Sequence, residues 1–216
     1  MVRVNVFVEG QTEETFVREV LTPYFAAQGI YFNPILAKTS PVSKGGIVSY
    51  GKAKHQITLL CKKDPAAFVT TLIDYYGLPT DFPKPTSIDA SAHVKALEIE
   101  QALKSDIAQA NFIPNLLVHE FEALLFSEPS KFTDWFEEQI PTAKLEAVRA
   151  AFETPEHINN SRNTAPSKRI LNLIPKYRKT LHGPIIAEDI GLDVMRRECL
   201  HFNNWVEGLL KLVAWN

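Results

Sequence analysis

Val2, Val4, Val6 and Val8 alternate with Arg3, Asn5 and Phe7, the period-two signature of a strand that grows more apolar toward its end. Gly10 turns the chain, Thr12 offers a helix cap, and Glu13 and Glu14 suit the positive end of a helix dipole. Phe16, Val17, Val20, Leu21, Tyr24 and Phe25 then recur at helical spacing, and Pro23 is expected to kink or shorten that helix. Strand, turn and helix in this order form the first half of a parallel α/β unit.

The alternation continues downstream. Residues 31–37 predict a second strand, the Gly- and Lys-rich stretch 43–54 a loop, and residues 57–61 a short helix. Ala67 to Ile73 (AFVTTLI) is β-branched and apolar, and it ends at Asp74. Residues 78–85 carry three prolines and predict a loop. Residues 87–110 predict a helix with Ala92, Ala96, Ile99, Leu103 and Ile107 on one face. Residues 112–118 predict another strand, leading into His119-Glu120-Phe121-Glu122 and a helix start at Ala123. Farther on, Pro129, Pro141, Pro155, Pro166 and Pro175 interrupt helical stretches, and Asn204 to Trp215 predicts a final helix. The expected architecture is an α/β core with a mostly parallel sheet over residues 1–126. A helical C-terminal part, residues 127–216, packs on it within one compact unit.

Composition narrows the picture. With 216 residues, 45% hydrophobic and 22% charged, the chain has the size and balance of a soluble domain that needs no disulfides. The net charge of -2 excludes a global pull toward polyanions, so any such site must come from local clustering. Cys61 and Cys199, far apart in the chain, fit a reduced cytoplasmic setting and argue against a disulfide framework. Neither a signal-peptide pattern nor a membrane-spanning apolar run is apparent. The histidines are scattered, and the GxGxxG, GxxxxGK[ST], GxSxG and HExxH patterns are absent.

Three acidic positions share a place in the pattern. Glu9, Asp74 and the pair Glu120/Glu122 each come just after the end of an apolar strand. In an open parallel sheet those ends lie along one edge, where ligands bind. Carboxylates gathered there repel one another unless a cation neutralises them, and hard oxygen donors suit Mg²⁺ or Mn²⁺. Taken singly, Glu9 reads equally as a polar loop residue, Asp74 as a turn former, and Glu120 and Glu122 as first-turn helix acids. Their common position favours a metal site. In a helix only one of Glu120 and Glu122 would face it. His119 either orients Glu120 or is an ordinary loop histidine.

Positive charge concentrates elsewhere. Arg162, Lys168, Arg169, Lys176, Arg178 and Lys179 form a segment without an acid. Its Pro166-Ser167-Lys168-Arg169 start reads as a helix N-terminus, where backbone amides, Ser167, Lys168 and Arg169 would cradle a phosphate. The alternative is a solvated helix face. Lys44 and Tyr50, in the glycine-rich loop, are a second candidate nucleic-acid contact, against the alternative that its glycines simply make the loop mobile.

VEGQTEE resembles the first motif of Toprim domains, in which a glutamate comes after the first strand. VEGQTEETFV, TTLIDYYGLP, LLVHEFEALLF and APSKRI, in that order, resemble the bacterial family known as domain of unknown function 4276. The resemblance implies a Toprim-like, Rossmann-like α/β fold, as in topoisomerases, primases and the overcoming-lysogenization-defect nucleases. It implies Glu9 as general acid/base or metal partner, with Gly10 at the turn beside it. It implies Mg²⁺ or Mn²⁺ as cofactor and cleavage of nucleic acid, in a phage-defence setting with an ABC- or AAA-type ATPase partner. Where a DxD metal motif is expected, this chain has Asp74-Tyr75-Tyr76, so the second aspartate is replaced by Tyr76. The missing oxygen ligand would come from Glu120 or Glu122. The competing expectation is a catalytically silent Toprim-like binding or regulatory subunit of an ATPase complex.

Overall fold

The structure is a computed structural model describing residues 1–39, 45–87, 90–136, 142–158 and 162–215. Its centre is a five-stranded sheet of β1 (Val2–Val8), β2 (Ile30–Leu36), β3 (Phe68–Asp74), β4 (Phe112–Ile113) and β5 (Leu116–Leu117). The order is β2-β1-β3-β4, with β5 also pairing β3, and every pairing is parallel. Val8 lies opposite Leu36 on one side and Leu72 on the other, so β1 and β3 end side by side.

Helices cover both faces, which explains why the middle strands are nearly all apolar. Against one face lie α3 (Tyr50–Lys63) and α4 (Ala92–Ile107), burying Ile57, Cys61, Ile99 and Leu103 with Phe7 and Val69. The other face takes α1 (Gln11–Phe16) and α2 (Thr22–Ala26), and most of the chain beyond residue 121. That second part contains α5 (Glu122–Leu125), α6 (Thr142–Ala150), α7 (Pro166–Leu173), α8 (Lys179–Ile190), α9 (Leu192–Glu198) and α10 (Leu200–Leu210). Val4, Val6 and Phe16 share one continuous core with Phe121, Ile186, Phe202 and Leu209. The chain is thus an α/β fold whose C-terminal helices close one face of the sheet. Among the described residues no helix is long and apolar enough to cross a membrane.

Three local differences from the sequence expectations have physical causes. Pro23, which lacks an N–H, sits in the first turn of α2, and the preceding turn, Val17–Leu21, widens to a π-helix. There the Thr22 hydroxyl donates to the Val17 carbonyl at 2.7 Å. The strand expected over 112–118 is split into β4 and β5. Pro114 and Asn115 separate them, and the Thr71 hydroxyl bridges the gap, donating to the Asn115 carbonyl (2.6 Å) and accepting its amide (2.9 Å). The expected loop over 43–54 ends earlier than its composition suggests: Ser49 caps α3 by accepting the Lys52 amide, so Tyr50 to Lys54 are helical.

Strand order locates the crevice. After β1 the chain crosses to β2, whereas after β3 it crosses to β4 on the opposite side. The gap between the C-terminal ends of β1 and β3 is therefore the topological switch point, where open α/β sheets take ligands.

Candidate functional site

Glu9 and Asp74 stand on the two strand ends that border this crevice. Asp74 is the last residue of β3 and is buried. Its Oδ1 accepts the Phe121 amide at 2.8 Å, tying the entry to α5 to the end of β3. Glu9 comes directly after β1, and the ends of its side chain lie over Gly77, where an added Cβ would stand 3.0 Å from Oε1 and 3.1 Å from Oε2. Burial pushes the Glu9 carboxyl up to about 7, with Asp74 and Glu13 adding to the shift.

Two further acids close the ring. Glu13 stands at the third position of α1 and folds back over the N-cap Gly10, where an added Cβ would lie 2.9 Å from its Oε2. This is the back-reaching half of a capping box, and it brings a second carboxylate to the end of β1. Glu122 starts α5 and is fully buried. Burial raises its carboxyl to about 7; Lys179 pulls down and Asp74 and Glu120 push up. Burial raises Glu13 as well, reinforced by Asp74.

Among the described residues one cation faces this group. The Lys179 ammonium lies 3.0 Å from Asp74 Oδ2, 3.2 Å from Glu122 Oε2 and 3.6 Å from Glu13 Oε1. Burial alone would lower its pKa, but the three carboxylates outweigh that and raise it. Lys179 is the first residue of α8, which packs against both α1 and α5. A positive charge at a helix N-terminus opposes the dipole, so only the acids make this placement favourable. The Tyr177 hydroxyl, also buried, is pushed well above its usual range by burial and by Glu122.

The balance remains negative. Glu9, Glu13, Asp74 and Glu122 outnumber Lys179, and Glu9 Oε2, Glu13 Oε1 and both Glu122 oxygens are buried without a hydrogen-bond partner. Glu13 Oε1 and Glu122 Oε2 still face Lys179 as ion pairs; hard oxygens with so little compensation, Glu9 Oε2 above all, fit a divalent cation. They are not gathered around one point, however. Among the described residues no group of three His, Cys, Asp or Glu side chains is placed to hold an ion. Lys179 lies between Asp74, Glu122 and Glu13 instead.

Of the acids singled out in the sequence, Glu9, Asp74 and Glu122 come together. Glu120 turns away: its Oε2 accepts the Ser167 amide at 3.0 Å. The N-terminus of α7, read as a phosphate cradle, is thus occupied by the protein's own carboxylate. Lys168 is exposed, while Arg169 donates from Nε to the Thr164 carbonyl at 2.7 Å and lies over the Phe152 ring at 5.1 Å. Tyr50, expected in a loop, donates its hydroxyl to Asp106 and packs on Phe82. Lys44 lies outside the described residues.

A family model for a domain of unknown function (DUF4276) matches residues 8–210. The chain belongs to this family. No curated protein and no solved structure matches it. The DUF4276 match begins at Val8 and ends at Leu210, so it takes in every residue of the acidic site and all the helices that close it.

Glu13 and Lys179 are side chains of the acidic cluster that strand-end reasoning passed over in this DUF4276 chain. Both had a signal. A residue one turn into a helix leans back toward its start, so Glu13 returns to the end of β1. Lys179 is a lysine where an acid is preferred, which points to a specific anionic partner. Three of the scattered histidines also come together. His93 lies 5.1 Å from His201 and 6.0 Å from His157 between ring centres. Glu156 caps α10 through the His201 and Phe202 amides, and His201 Nε2 lies 2.9 Å from Glu100 Oε1.

Proposed function

We propose that this chain is a divalent-metal-dependent phosphodiesterase acting on nucleic acid. The observation that supports this most is the excess of buried carboxylates at the switch point over the one lysine that faces them among the described residues, with Glu9 Oε2 left without a hydrogen-bond partner. Glu9, Asp74 and Glu122, with Glu13 beside them, are the residues that would hold Mg²⁺ or Mn²⁺. Such an ion, when bound, offsets phosphate charge and polarises water.

The chain's own residues have separable roles in this reading. Glu9 is either a metal ligand or the general acid/base; its carboxyl, lifted to about 7 in the metal-free site, suits the second role where it does not itself touch the ion. Asp74 is held by the Phe121 amide and by Lys179, which sets its orientation at the strand end. Lys179 supplies positive charge to a site that must approach a phosphate. Glu9→Gln should abolish Mn²⁺- or Mg²⁺-dependent cleavage of a labelled oligonucleotide while circular dichroism stays unchanged. Cleavage at the wild-type rate would remove Glu9 from the mechanism.

One observation favours a second reading. Lys179 already compensates part of the acidic charge, and among the described residues no three-ligand group is assembled around a point. A catalytically silent binding or regulatory subunit, acting with an ATPase, would need no metal at all. Divalent-ion affinity separates the two.

A further inference from the structure

Tyr76 stands where a second metal-binding aspartate was expected, and it is 41% exposed. It is not loosely placed. Its backbone amide donates to the His119 carbonyl at 3.0 Å, and its ring stacks on the His119 imidazole at 5.2 Å with planes 20° apart. His119 holds a left-handed backbone conformation, φ 69°, which costs energy for a residue with a side chain. Burial lowers its imidazole pKa to about 4, with His157 and His93 adding to the shift, so the ring beneath Tyr76 is neutral.

Beside Tyr76 opens a cleft of about 190 Å³, lined by Tyr75, Tyr76, Phe82, Lys84 and two prolines, Pro83 and Pro85. Roughly 300–1,000 Å³ is usual for a drug-sized ligand, so this space suits a single flat ring system. The prolines stiffen its wall. Tyr75 comes directly after Asp74, so cleft and acidic crevice adjoin at the end of β3.

We propose that this cleft binds one unpaired nucleobase of a single-stranded nucleic acid, stacked on Tyr76, with Lys84 facing the adjoining backbone. The assignment rests on the phosphodiesterase reading and adds its substrate class. Aromatic rings accept any base face, whereas a paired base inside a duplex cannot enter. Tyr76 thus replaces a ligand to metal with a contact to substrate.

Adenosine, which carries no phosphate, isolates the stacking contact. Saturation-transfer NMR on the full chain, without added metal, should show transfer to the adenine protons. Tyr76→Ala should lose it and Tyr76→Phe should keep it. Affinity for a labelled single-stranded oligonucleotide should fall roughly five- to a hundredfold in Tyr76→Ala. Transfer undiminished in Tyr76→Ala, or none to the wild type, would overturn the assignment. Transfer without any metal-dependent cleavage would leave the base site standing and remove only the phosphodiesterase reading.

Discussion

Lys179 Nζ meets Asp74 Oδ2 at 3.0 Å across a sequence separation of 105 residues, joining the first residue of α8 to the last residue of β3. The same ammonium reaches Glu122 and Glu13. The C-terminal helices therefore supply the positive charge of a site otherwise built on the sheet and on the helices that come after its strands.

Removing that charge should be costly. Lys179→Met leaves three carboxylates facing one another. Breaking a buried pair costs about 3–5 kcal/mol, and the 37% exposure of the Lys179 side chain reduces this to about 1–2 kcal/mol. Urea unfolding in EDTA should show the loss, and Mn²⁺ should restore much of it. Unchanged stability in EDTA would mean that the lysine does not compensate these acids.

The acids also predict a pH dependence. Glu9 and Glu122 are raised from 4.5 to about 7, so between these values the folded chain binds more protons than the unfolded chain. Their contribution to stability is full below about 4.5 and is lost as pH rises through about 7. In EDTA the melting temperature of Glu122→Gln should fall less than that of the wild type between these pH limits. Parallel curves would show that Glu122 does not titrate in this window.

Gly77 gives a steric handle on Glu9. It has an ordinary backbone conformation, so alanine is tolerated locally, but its Cβ would press on the Glu9 carboxylate at 3.0 Å. The end of that side chain moves more easily than backbone. Gly77→Ala should keep the fold and its melting temperature while lowering cleavage by about tenfold or more. Full activity would show that Glu9 need not sit over Gly77.

Glu120 should behave as a structural acid. Through the Ser167 amide it caps α7, so Glu120→Ala should cost about 1 kcal/mol in chemical denaturation. Mn²⁺ affinity should not change. A large loss of affinity would return Glu120 to the metal site.

Much of the sheet could be read from the chain because β1 and β3 carry strong local patterns, with an acid just after the first and at the end of the second. Their adjacency was not legible, since strand order is a tertiary property; nor was the split of β4 from β5, which depends on the hydroxyl of Thr71. Glu9, Asp74 and Glu122 were visible as strand-end acids. The basic helix start at Pro166 looked like an anion cradle because the sequence hides its occupant, Glu120, far upstream. Lys179 was hidden in the opposite way: its neighbours in the chain are basic, and its partners are distant in sequence.

The central claim, a divalent-ion site at the switch point, is tested most directly by calorimetric titration of the metal-free chain with Mn²⁺ near neutral pH. One saturable site is expected, weakened at least about tenfold in Asp74→Asn. Tighter binding is expected in Lys179→Met, where the competing ammonium is gone. No resolvable binding to the wild type, or equal affinity in Asp74→Asn, would contradict a metal-dependent site and favour the silent subunit.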